Sequence, residues 1–421
     1  MTRRRRPSIL YAVPGHDFLQ SAGPTRNVLN QVHAMSAWAD FTLLFRRIVS
    51  PPEPSDPPVV EIQPEAARNG SPVDDAATRG MSYPAFAAYL RAVRRSMRTR
   101  LPAADLVLEK DWMLTGYVSR VARAHGTPSI PVKNRVAGSP GRVMRDPLKW
   151  ARHATGGSLE GWLLRQAPCM VAETEPLKRA MVSRWQLDPA RIEVIGLGVD
   201  RRVFRPARQE PARSELRIPQ QPTVLLYAGI LDRTHDLDPL LRALAASARA
   251  DMQLHIVGDG PERGAFEALA RDARVPVVFH GRVAHADVPR YVAAADLCVA
   301  PYNPSAFPTG EVGYATLKVR EFLAAARPVA TVASGTLREL VRDGVSGFLL
   351  DNTVERWGDL LRALPPRARL AKMGAAAADT PLESWEDVSS AFERVCARQI
   401  AMTSPDGGPV REPLPCTPWT Q

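Results

Sequence analysis

The chain has 421 residues, of which 45% are hydrophobic and 24% charged, as expected for a globular protein with two domains of ordinary size. A net charge of +11 favours anionic partners such as sugar nucleotides, anionic lipid or nucleic acid, although an Arg-rich composition alone would also explain it. No apolar run reaches the ~18 residues of a membrane span, aromatic residues form no stacking platform for nucleic acid, and four widely spaced cysteines predict neither disulfides nor a zinc site.

The first half of the chain alternates predicted strands with helices. A basic start precedes an apolar run at 9–13 that is too short for a signal peptide, so we predict a buried first strand and a cytoplasmic protein. This strand leads into a loop that contains Gly23, and a helix follows at 27–37. Such alternation predicts an α/β domain with a mostly parallel sheet. Further strands are predicted at 41–45, 59–62, 105–109, 126–132, 170–172 and 192–195.

Two basic segments of the first half carry a separate hypothesis. A predicted helix at 84–100 is rich in arginine, and an irregular Arg-bearing loop follows at 135–158. The helix could rest on an anionic membrane surface, or it could be a solvated face whose apolar side packs on the sheet. The arginines of the helix are Arg91, Arg94, Arg95, Arg98 and Arg100.

The second half begins with a crossing between domains at 196–206 and a polar, proline-bearing linker at 208–222. A second α/β series then follows, and the tail at 403–421 is predicted to be disordered because it is rich in Pro and Gly. Strands are predicted at 223–229, 253–257, 275–281, 297–300, 328–332 and 347–350, and helices at 239–250, 262–272, 287–294 and 385–400.

The most informative stretch is a strand, a Pro- and Gly-rich loop at 301–316, and a helix that carries Lys318 in its first turn. A helix N-terminus has partial positive charge, and Lys318 would add a full charge for phosphate. Glu321 lies near the same face one turn later, where it could accept hydrogen bonds from ribose hydroxyls. The stretch predicts a nucleoside-diphosphate ligand; an ordinary amphipathic helix with an exposed Lys/Glu pair is the alternative.

Ordered motifs over residues 170–400 resemble those of retaining GT-B glycosyltransferases of the family 4, or group 1, type. They begin with a crossing that resembles the family's NGVD…FxP, and they end with a Trp-Glu pair that resembles the start of its C-terminal helix. The motifs are Gly198-Val-Asp200 with Phe204 and Pro206, the loop at Gly229, Gly258-Asp-Gly260, Gly281-Arg-Val283, Lys318 with Glu321, and Trp385-Glu386.

The resemblance implies an α/β protein with the GT-B fold, in which two Rossmann-like domains face each other across a cleft. Residues 1–195 would bind the acceptor, residues 196–384 the nucleotide sugar, and a helix at 385–401 would pack back on the first domain. The implied reaction is retaining, metal-independent transfer of a glycosyl group from a UDP- or GDP-sugar to an acceptor hydroxyl, in secondary-metabolite or glycoconjugate biosynthesis. It implies no cofactor other than this donor substrate.

The resemblance also assigns roles to residues. Two cations that hold the diphosphate in the family are replaced by Ile230 and His235, so Arg233 is the nearest substitute. Glu311 is the carboxylate nearest to the family's second glutamate. The implied catalytic residues are Arg233, Lys318 and Glu311. His16 is a further catalytic candidate because it follows the first predicted strand and could face the acceptor hydroxyl. The implied donor-binding residues are Gly23, Gly229, Gly258, Arg282, Val283, Gly313, Tyr314, Ala315, Thr316 and Glu321.

The acceptor stays open between a soluble small molecule and a lipid-linked or polysaccharide intermediate, which would require peripheral contact with the inner face of the membrane. Acceptor contact is one hypothesis for Glu109, Lys110 and Asp111, which lie at the end of a predicted strand. Two other functions remain as alternatives: a catalytically silent GT-B partner subunit, which the altered diphosphate loop would explain, and a nucleotide-sugar 2-epimerase. Nucleic acid is not expected as a partner.

Overall fold

A computed structural model describes residues 5–20, 22–62, 81, 83–136, 157–247, 249, 251–307 and 309–403. Most of the loop at 135–158 and nearly all of the tail at 403–421 lie outside these residues, as does part of the surface segment between residues 50 and 80. The hypotheses made for those parts of the sequence therefore stay predictions.

The first sheet is built from seven strands, and all neighbouring strands are parallel. The strands are β1 (Ser8–Val13), β2 (Asp40–Phe45), β3 (Val59–Glu61), β4 (Leu106–Lys110), β5 (Ser129–Lys133), β6 (Met170–Ala172) and β7 (Ile192–Val194). Their order across the sheet is β3-β2-β1-β4-β5-β6-β7. The helices described between them are α1 (Gly23–Met35), α2 (Tyr83–Arg98), α3 (Tyr117–Arg123), α4 (157–165) and α5 (Glu175–Trp185).

Strand β1 explains why this sheet is covered on both faces. Ile9, Tyr11 and Val13 belong to a core cluster on one face, which includes residues of α1. Leu10 and Ala12 belong to the cluster on the opposite face, which includes residues of α2. Because successive strand residues point to opposite faces, an unbroken apolar run requires helices on both sides of a parallel sheet.

The second sheet has six strands, again all parallel. They are β8 (Thr223–Ala228), β9 (Met252–Val257), β10 (Val277–Gly281), β11 (Leu297–Ala300), β12 (Val329–Val332) and β13 (Gly347–Leu350), in the order β10-β9-β8-β11-β12-β13. The helices are α6 (Gln209–Glu215), α7 (Asp238–Ser247), α8 (Arg263–Asp272), α9 (Val288–Ala294), α10 (Leu317–Ala324), α11 (Leu337–Leu340), α12 (Val354–Arg362) and α13 (Arg367–Ala378).

The α/β class with two parallel sheets is confirmed. We call the units around the two sheets the first and second lobes. In each sheet the direction of winding reverses beside a central strand, between β1 and β4 and between β8 and β11. In open parallel sheets a crevice forms at such a point, at the carboxyl ends of the strands, and ligands bind there.

Two sequence-based expectations for the second lobe are wrong. The segment at 208–222 is more than a polar linker, because it contains α6, whose Arg213 side chain is buried and paired with Asp296 at 2.6 Å. Two helices, α12 and α13, lie between the last strand and the closing helix, where none was predicted. The seven residues of α6 are too few for an apolar side to be recognised, whereas α12 carries Trp357 and Leu361 at helical spacing, a signal that was overlooked.

The closing helix, α14 (Trp385–Thr403), packs against α1 of the first lobe. Phe392 lies in the same core cluster as the first strand, and Ser389 accepts a hydrogen bond from Trp38 Nε1 at 3.0 Å. Ser384 and Asp387 form reciprocal hydrogen bonds at the start of the helix, with the geometry of a capping box. This helix therefore ties the end of the second lobe to the first.

Candidate functional site

The candidate site lies at the carboxyl ends of β8 and β11 and at the start of α10. Lys318 is partly buried, and its Nζ donates to Tyr227 Oη at 3.2 Å. The ammonium lies 4.5 Å from the centre of the Tyr227 ring and 5.6 Å from that of Tyr302, a distance at which a cation is attracted by aromatic rings. These contacts hold Lys318 in one orientation at the end of the sheet.

Gly229 allows Lys318 to lie there. Its φ of +152° is in the region that favours glycine, and a Cβ at this position would collide with Lys318 Nζ. The backbone at the end of β8 and the ammonium at the start of α10 are therefore in direct contact. A phosphate placed at this point would meet both.

Glu321 lies one turn after Lys318 and is only 9% exposed. Its carboxylate is 4.0 Å from His285, and Arg26 of the first lobe is close enough to act on it electrostatically. Burial raises the pKa of Glu321 to about 7, against the opposing effects of Lys318 and Arg26. Burial also lowers the pKa of Lys318 to about 7, against the effects of Asp232 and Glu321. The charge of both groups is therefore sensitive to a bound ligand.

The loop after β8 places Arg233 and His235 in different surroundings. The side chain of Arg233 is 90% exposed, and its Nε lies 3.3 Å from Glu262. His235 is only 6% exposed, and its Nδ1 lies 2.8 Å from Asp232. Burial and the charge of Lys318 lower the pKa of His235 to about 4, so the imidazole is neutral at neutral pH. The structure thus brings His235 near Lys318 and leaves Arg233 at the surface.

The loop at 309–316 lies where the two lobes meet. Thr174, which caps α5 in the first lobe, donates to the Gly313 carbonyl at 2.8 Å. Ala315 packs in the core cluster of the first lobe, and Thr316 is buried. Glu311 is exposed at the other end of the loop.

A cavity of about 320 Å³ lies between this loop and the first lobe. Arg135, Leu177 and Arg179 contribute to its wall from the first lobe. Glu311 and Tyr314 face it from the second lobe. A hydroxylated small molecule of modest size would fit beside the predicted sugar-binding loop.

The remaining second-lobe candidates are more scattered. Gly258 contacts the backbone of Gly229, and its N–H donates to the Gly281 carbonyl at 2.8 Å, so it lets neighbouring strand ends approach closely. Val283 is half-buried on the core of the second lobe, whereas Arg282 is exposed. In the first lobe, Gly23 is the first residue of α1, with open space where a Cβ would be.

His16 follows β1 and lies near cationic groups of the first lobe. Burial and the positive charges of Arg135 and Lys110 lower the pKa of His16 to about 3. Lys110 donates to Glu173 at 2.7 Å, and Asn27 donates to the same carboxylate at 3.4 Å. This end of the first sheet is therefore polar and fixed by buried ion pairs.

The expectation that Glu109 contacts the acceptor is wrong. Glu109 is completely buried, and its carboxylate accepts hydrogen bonds from Trp112 Nε1 at 2.8 Å and from the backbone N–H groups of Gly116 and Ser119 at 2.9 and 2.8 Å. It therefore satisfies donors at the start of α3, which is a structural role. Asp111 is also buried, in an ion pair with Lys133.

The sequence reasoning missed the residues that surround Lys318 and His235: Tyr227, Tyr302 and Asp232. It also missed Arg26 of the first lobe, whose positive charge acts to lower the pKa of Glu321. A tyrosine at the end of each of two predicted strands was a visible signal. The sequence does not show that these two tyrosines are neighbours, because they meet only through the strand order, which places β8 beside β11.

Two family models match the chain in succession. Residues 47–203 match "Glycosyltransferase Family 4", and residues 222–364 match "Glycosyl transferases group 1". A curated relative from Nocardioides sp., named D-inositol 3-phosphate glycosyltransferase, is 32% identical over 312 residues. The matching region covers 66% of this chain and 64% of that relative, so the chain aligns with somewhat less than two thirds of its length.

Solved structures support the fold. Sucrose-phosphate synthase from Thermosynechococcus elongatus superposes with a TM-score of 0.74 at 18% identity, over 95% of this chain and 100% of that one. HepE from Anabaena in complex with UDP superposes with a TM-score of 0.70 at 15% identity, over 93% of this chain and 100% of that one. With two facing parallel sheets and both family models matched in order, the chain belongs to the family 4, group 1 type of glycosyltransferases with the GT-B fold.

Proposed function

We propose that this protein transfers a glycosyl group from a nucleoside-diphosphate sugar to the hydroxyl of an acceptor held between the lobes. The observation that carries the proposal is the contact of Lys318 with the backbone at Gly229, with Glu321 one turn further along α10. Lys318 and the start of α10 bind the diphosphate, and Glu321 accepts hydrogen bonds from the ribose. Arg233 reaches the diphosphate only if it leaves Glu262.

The main catalytic task is to stabilise the departing diphosphate as the glycosyl–phosphate bond breaks. Positive charge develops on the anomeric carbon and negative charge on the leaving group, and Lys318 lies where that negative charge would form. His16 is half-buried, and its surroundings lower its pKa to about 3, so it is a weak base. As the acceptor hydroxyl attacks the anomeric carbon, its proton is transferred to an oxygen of the leaving diphosphate. The attack comes from the same face as the leaving group, so the configuration is retained. His16 orients the acceptor.

The reaction is proposed to need no metal ion. In the described part of the chain, no group of three or more His, Cys, Asp or Glu side chains is arranged to hold one. Lys318 supplies positive charge for the diphosphate, which is the role that a divalent cation has in many nucleotide sites. Added chelator should leave the rate unchanged.

UDP is the first nucleotide to test, since HepE with the same fold was solved with UDP. For the acceptor we propose a hydroxylated molecule with an anionic group. Arg135 and Arg179 line the cavity between the lobes, and the Nocardioides relative is named for an inositol phosphate. A lipid-linked acceptor with a phosphate would satisfy the same chemistry.

The proposal is tested by incubating the protein with UDP-, GDP- and dTDP-sugars, with and without inositol 3-phosphate, and detecting products by mass spectrometry. UDP and GDP binding is measured by calorimetry. We expect binding of one nucleotide and slow donor hydrolysis, and K318A should lower donor kcat/KM at least about tenfold, equivalent to about 1.4 kcal/mol. K372A, an exposed lysine on α13, is the control.

Two outcomes would replace the proposal. Failure to bind either nucleotide would identify a silent GT-B subunit, for which the replacement of the family's cations by Ile230 and His235 gives a reason. Conversion of the nucleotide sugar to an isomer without any acceptor would identify an epimerase.

We also propose peripheral contact with an anionic membrane through α2. Tyr89, Val93 and Met97 are buried along one side of this helix. The opposite side presents exposed arginines, which suits electrostatic attraction to lipid headgroups. No helix in the described ranges is long and apolar enough to cross a bilayer. The exposed arginines are Arg91, Arg94, Arg95 and Arg98.

A further inference from the structure

A chain of three hydrogen-bonded side chains connects the diphosphate loop with the loop at 309–316. Asp232 and His235 lie in the loop after β8, and Tyr314 lies before α10. His235 Nδ1 is 2.8 Å from Asp232 Oδ1, and His235 Nε2 is 3.4 Å from Tyr314 Oη. The family's phosphate-holding lysine is replaced here by a buried imidazole that has a partner on each nitrogen.

The partners of His235 set its tautomer. Asp232 is a carboxylate that also accepts from the Thr234 N–H at 2.9 Å and the Thr234 hydroxyl at 2.6 Å, so it cannot donate to the ring. The Thr234 hydroxyl also lies 3.1 Å from Nδ1, but its one proton is donated to Asp232. Nδ1 therefore carries the ring proton, and the lone pair of Nε2 accepts from the Tyr314 hydroxyl. Asp232 holds the ring from its own loop in the way that a carboxylate orients a catalytic or metal-binding histidine.

Every element packed around the imidazole adds to its immobility. The Tyr302 ring, which follows β11, lies 4.9 Å from the His235 ring, and the Tyr227 ring of β8 lies at 6.4 Å. Lys318 of α10 is the nearby cation. A ring held between two aromatic neighbours, a carboxylate and a tyrosine hydroxyl has little freedom to rotate.

Tyr314 extends this chain to the space between the lobes. It lines the 320 Å³ cavity and packs against Phe307, with ring centres 5.6 Å apart. The next residue toward the N-terminus, Gly313, is bound through its carbonyl to Thr174 of the first lobe. Tyr314 is therefore fixed on one side by His235 and lies within a loop that the first lobe also holds.

We propose that His235 is a positioning residue that, oriented by Asp232, holds Tyr314 and with it the sugar-facing conformation of the loop at 309–316. His235 thus replaces the family's diphosphate-binding lysine with a side chain that orients the sugar-binding loop. Binding of the diphosphate then relies on Lys318. The inference rests on the proposed donor site. It requires that breaking the His235–Tyr314 bond impairs turnover of the sugar nucleotide more than binding of the nucleotide alone.

The test compares wild type with H235F, H235Q, Y314F and the H235F/Y314F double variant. UDP affinity is measured by calorimetry and UDP-glucose hydrolysis by UDP release, with GDP and GDP-mannose used if the wild type prefers GDP. Because each removes one neutral hydrogen bond, H235F and Y314F should each lower hydrolytic kcat/KM about 3- to 10-fold. UDP affinity should change less than about twofold in both variants, because UDP lacks the sugar.

Two further results are expected. H235Q should recover part of the loss, because its amide oxygen can accept from Tyr314. The double variant should be no worse than either single variant, since both remove the same bond. H125Q and Y291F, which alter a histidine and a tyrosine outside these loops, serve as controls, and thermal unfolding of each variant reports its stability.

The inference is overturned if H235F hydrolyses the donor like wild type, if the two single effects add in the double variant, or if UDP affinity falls as much as turnover. Absence of nucleotide binding and hydrolysis in the wild type would overturn the proposed function, and the inference with it. Normal wild-type activity with unaffected variants would overturn the inference alone.

Discussion

At the residue scale, the proposed donor site contains two ionisable groups whose pKa values lie close to neutral pH. Lys318 and Glu321 lie one turn apart on α10, and burial moves the pKa of each to about 7 from opposite directions. Each would be more strongly shifted without the other, because opposite charges stabilise each other in a poorly solvated site. Their spacing within a single helix is a local property, so the sequence could predict it. Their burial could not be predicted.

The first prediction concerns pH. Lys318 loses its charge as pH rises through about 7, and Glu321 gains its charge over the same range. The diphosphate needs the protonated lysine and the ribose needs the carboxylate, so donor kcat/KM should follow a bell-shaped profile with its maximum near pH 7. Hydrolysis rates between about pH 5 and pH 9 measure this. K318R should extend activity to higher pH and E321Q should remove the acid limb. A flat wild-type profile would contradict the assignment.

The second prediction concerns Gly229. G229A adds a Cβ that collides with Lys318 Nζ, at a φ of +152° that L-residues rarely adopt. Displacement of the ammonium should weaken UDP binding at least about tenfold, or about 1.4 kcal/mol, in calorimetry. G264A on α8 is the matched control, because a Cβ there meets open space and a helical Gly→Ala change should stabilise by about 0.5–1 kcal/mol. Equal UDP affinity in G229A and wild type would show that this contact is unimportant.

At the element scale, short helices are fixed by buried polar contacts that bring distant segments together. Asp296 accepts hydrogen bonds from Arg213 of α6 at 2.6 Å, from Arg367 of α13 at 2.9 Å and from the Val224 N–H at 2.8 Å. One carboxylate thus joins two helices to the sheet. Neither helix was predicted. The seven residues of α6 make too few turns for an apolar side to be recognised, and the 12 residues of α13 end in a run of alanines that sets no clear apolar side apart. Strands, by contrast, were predictable from their continuous apolar runs.

The third prediction tests this junction. D296A leaves the buried guanidinium of Arg213 without its partner, which should lower the free energy of unfolding by about 3–5 kcal/mol. Urea denaturation followed by circular dichroism measures the change. D251A breaks the exposed pair between Asp251 and Arg249 and should cost less than about 1 kcal/mol. If D296A and D251A lowered the free energy of unfolding by similar amounts, the buried ion pair would contribute no more to stability than the exposed one.

At the scale of the whole molecule, contacts across the lobes assemble the site. Closing helix α14 packs on the first lobe, and the loop at 309–316 is bound by Thr174. Arg26 of the first lobe acts on Glu321 of the second. The cavity proposed for the acceptor is lined by residues of both lobes. A donor bound to the second lobe would therefore face an acceptor bound to the first, as the proposed transfer requires.

The fourth prediction concerns the outer surface. The protein should co-sediment with phosphatidylglycerol-containing vesicles, because each surface arginine contributes about 1 kcal/mol of binding near anionic lipid. It should dissociate from these vesicles at high salt, and it should not bind vesicles of pure phosphatidylcholine. R94E/R95E on α2 should weaken this binding at least about tenfold. R271E/R369E changes the same charge at exposed sites of the second lobe and should bind with higher affinity than the α2 variant. Equal sedimentation of the two variants would show that α2 is not the membrane contact.

The sequence by itself determined the α/β class, the positions of nearly all strands, and the placement of Lys318 and Glu321 one turn apart on a helix, because these depend on apolar runs and on spacing within one element. It could not place Tyr227, Tyr302 and His235 around Lys318, since strand order brings together residues that are far apart in the chain. The sequence also could not show which charged side chains are buried. Whether a carboxylate such as Glu109 satisfies backbone donors, or one such as Glu321 lies at the cleft, is decided only when the lobes are packed, because desolvation and local hydrogen-bond donors depend on the tertiary surroundings.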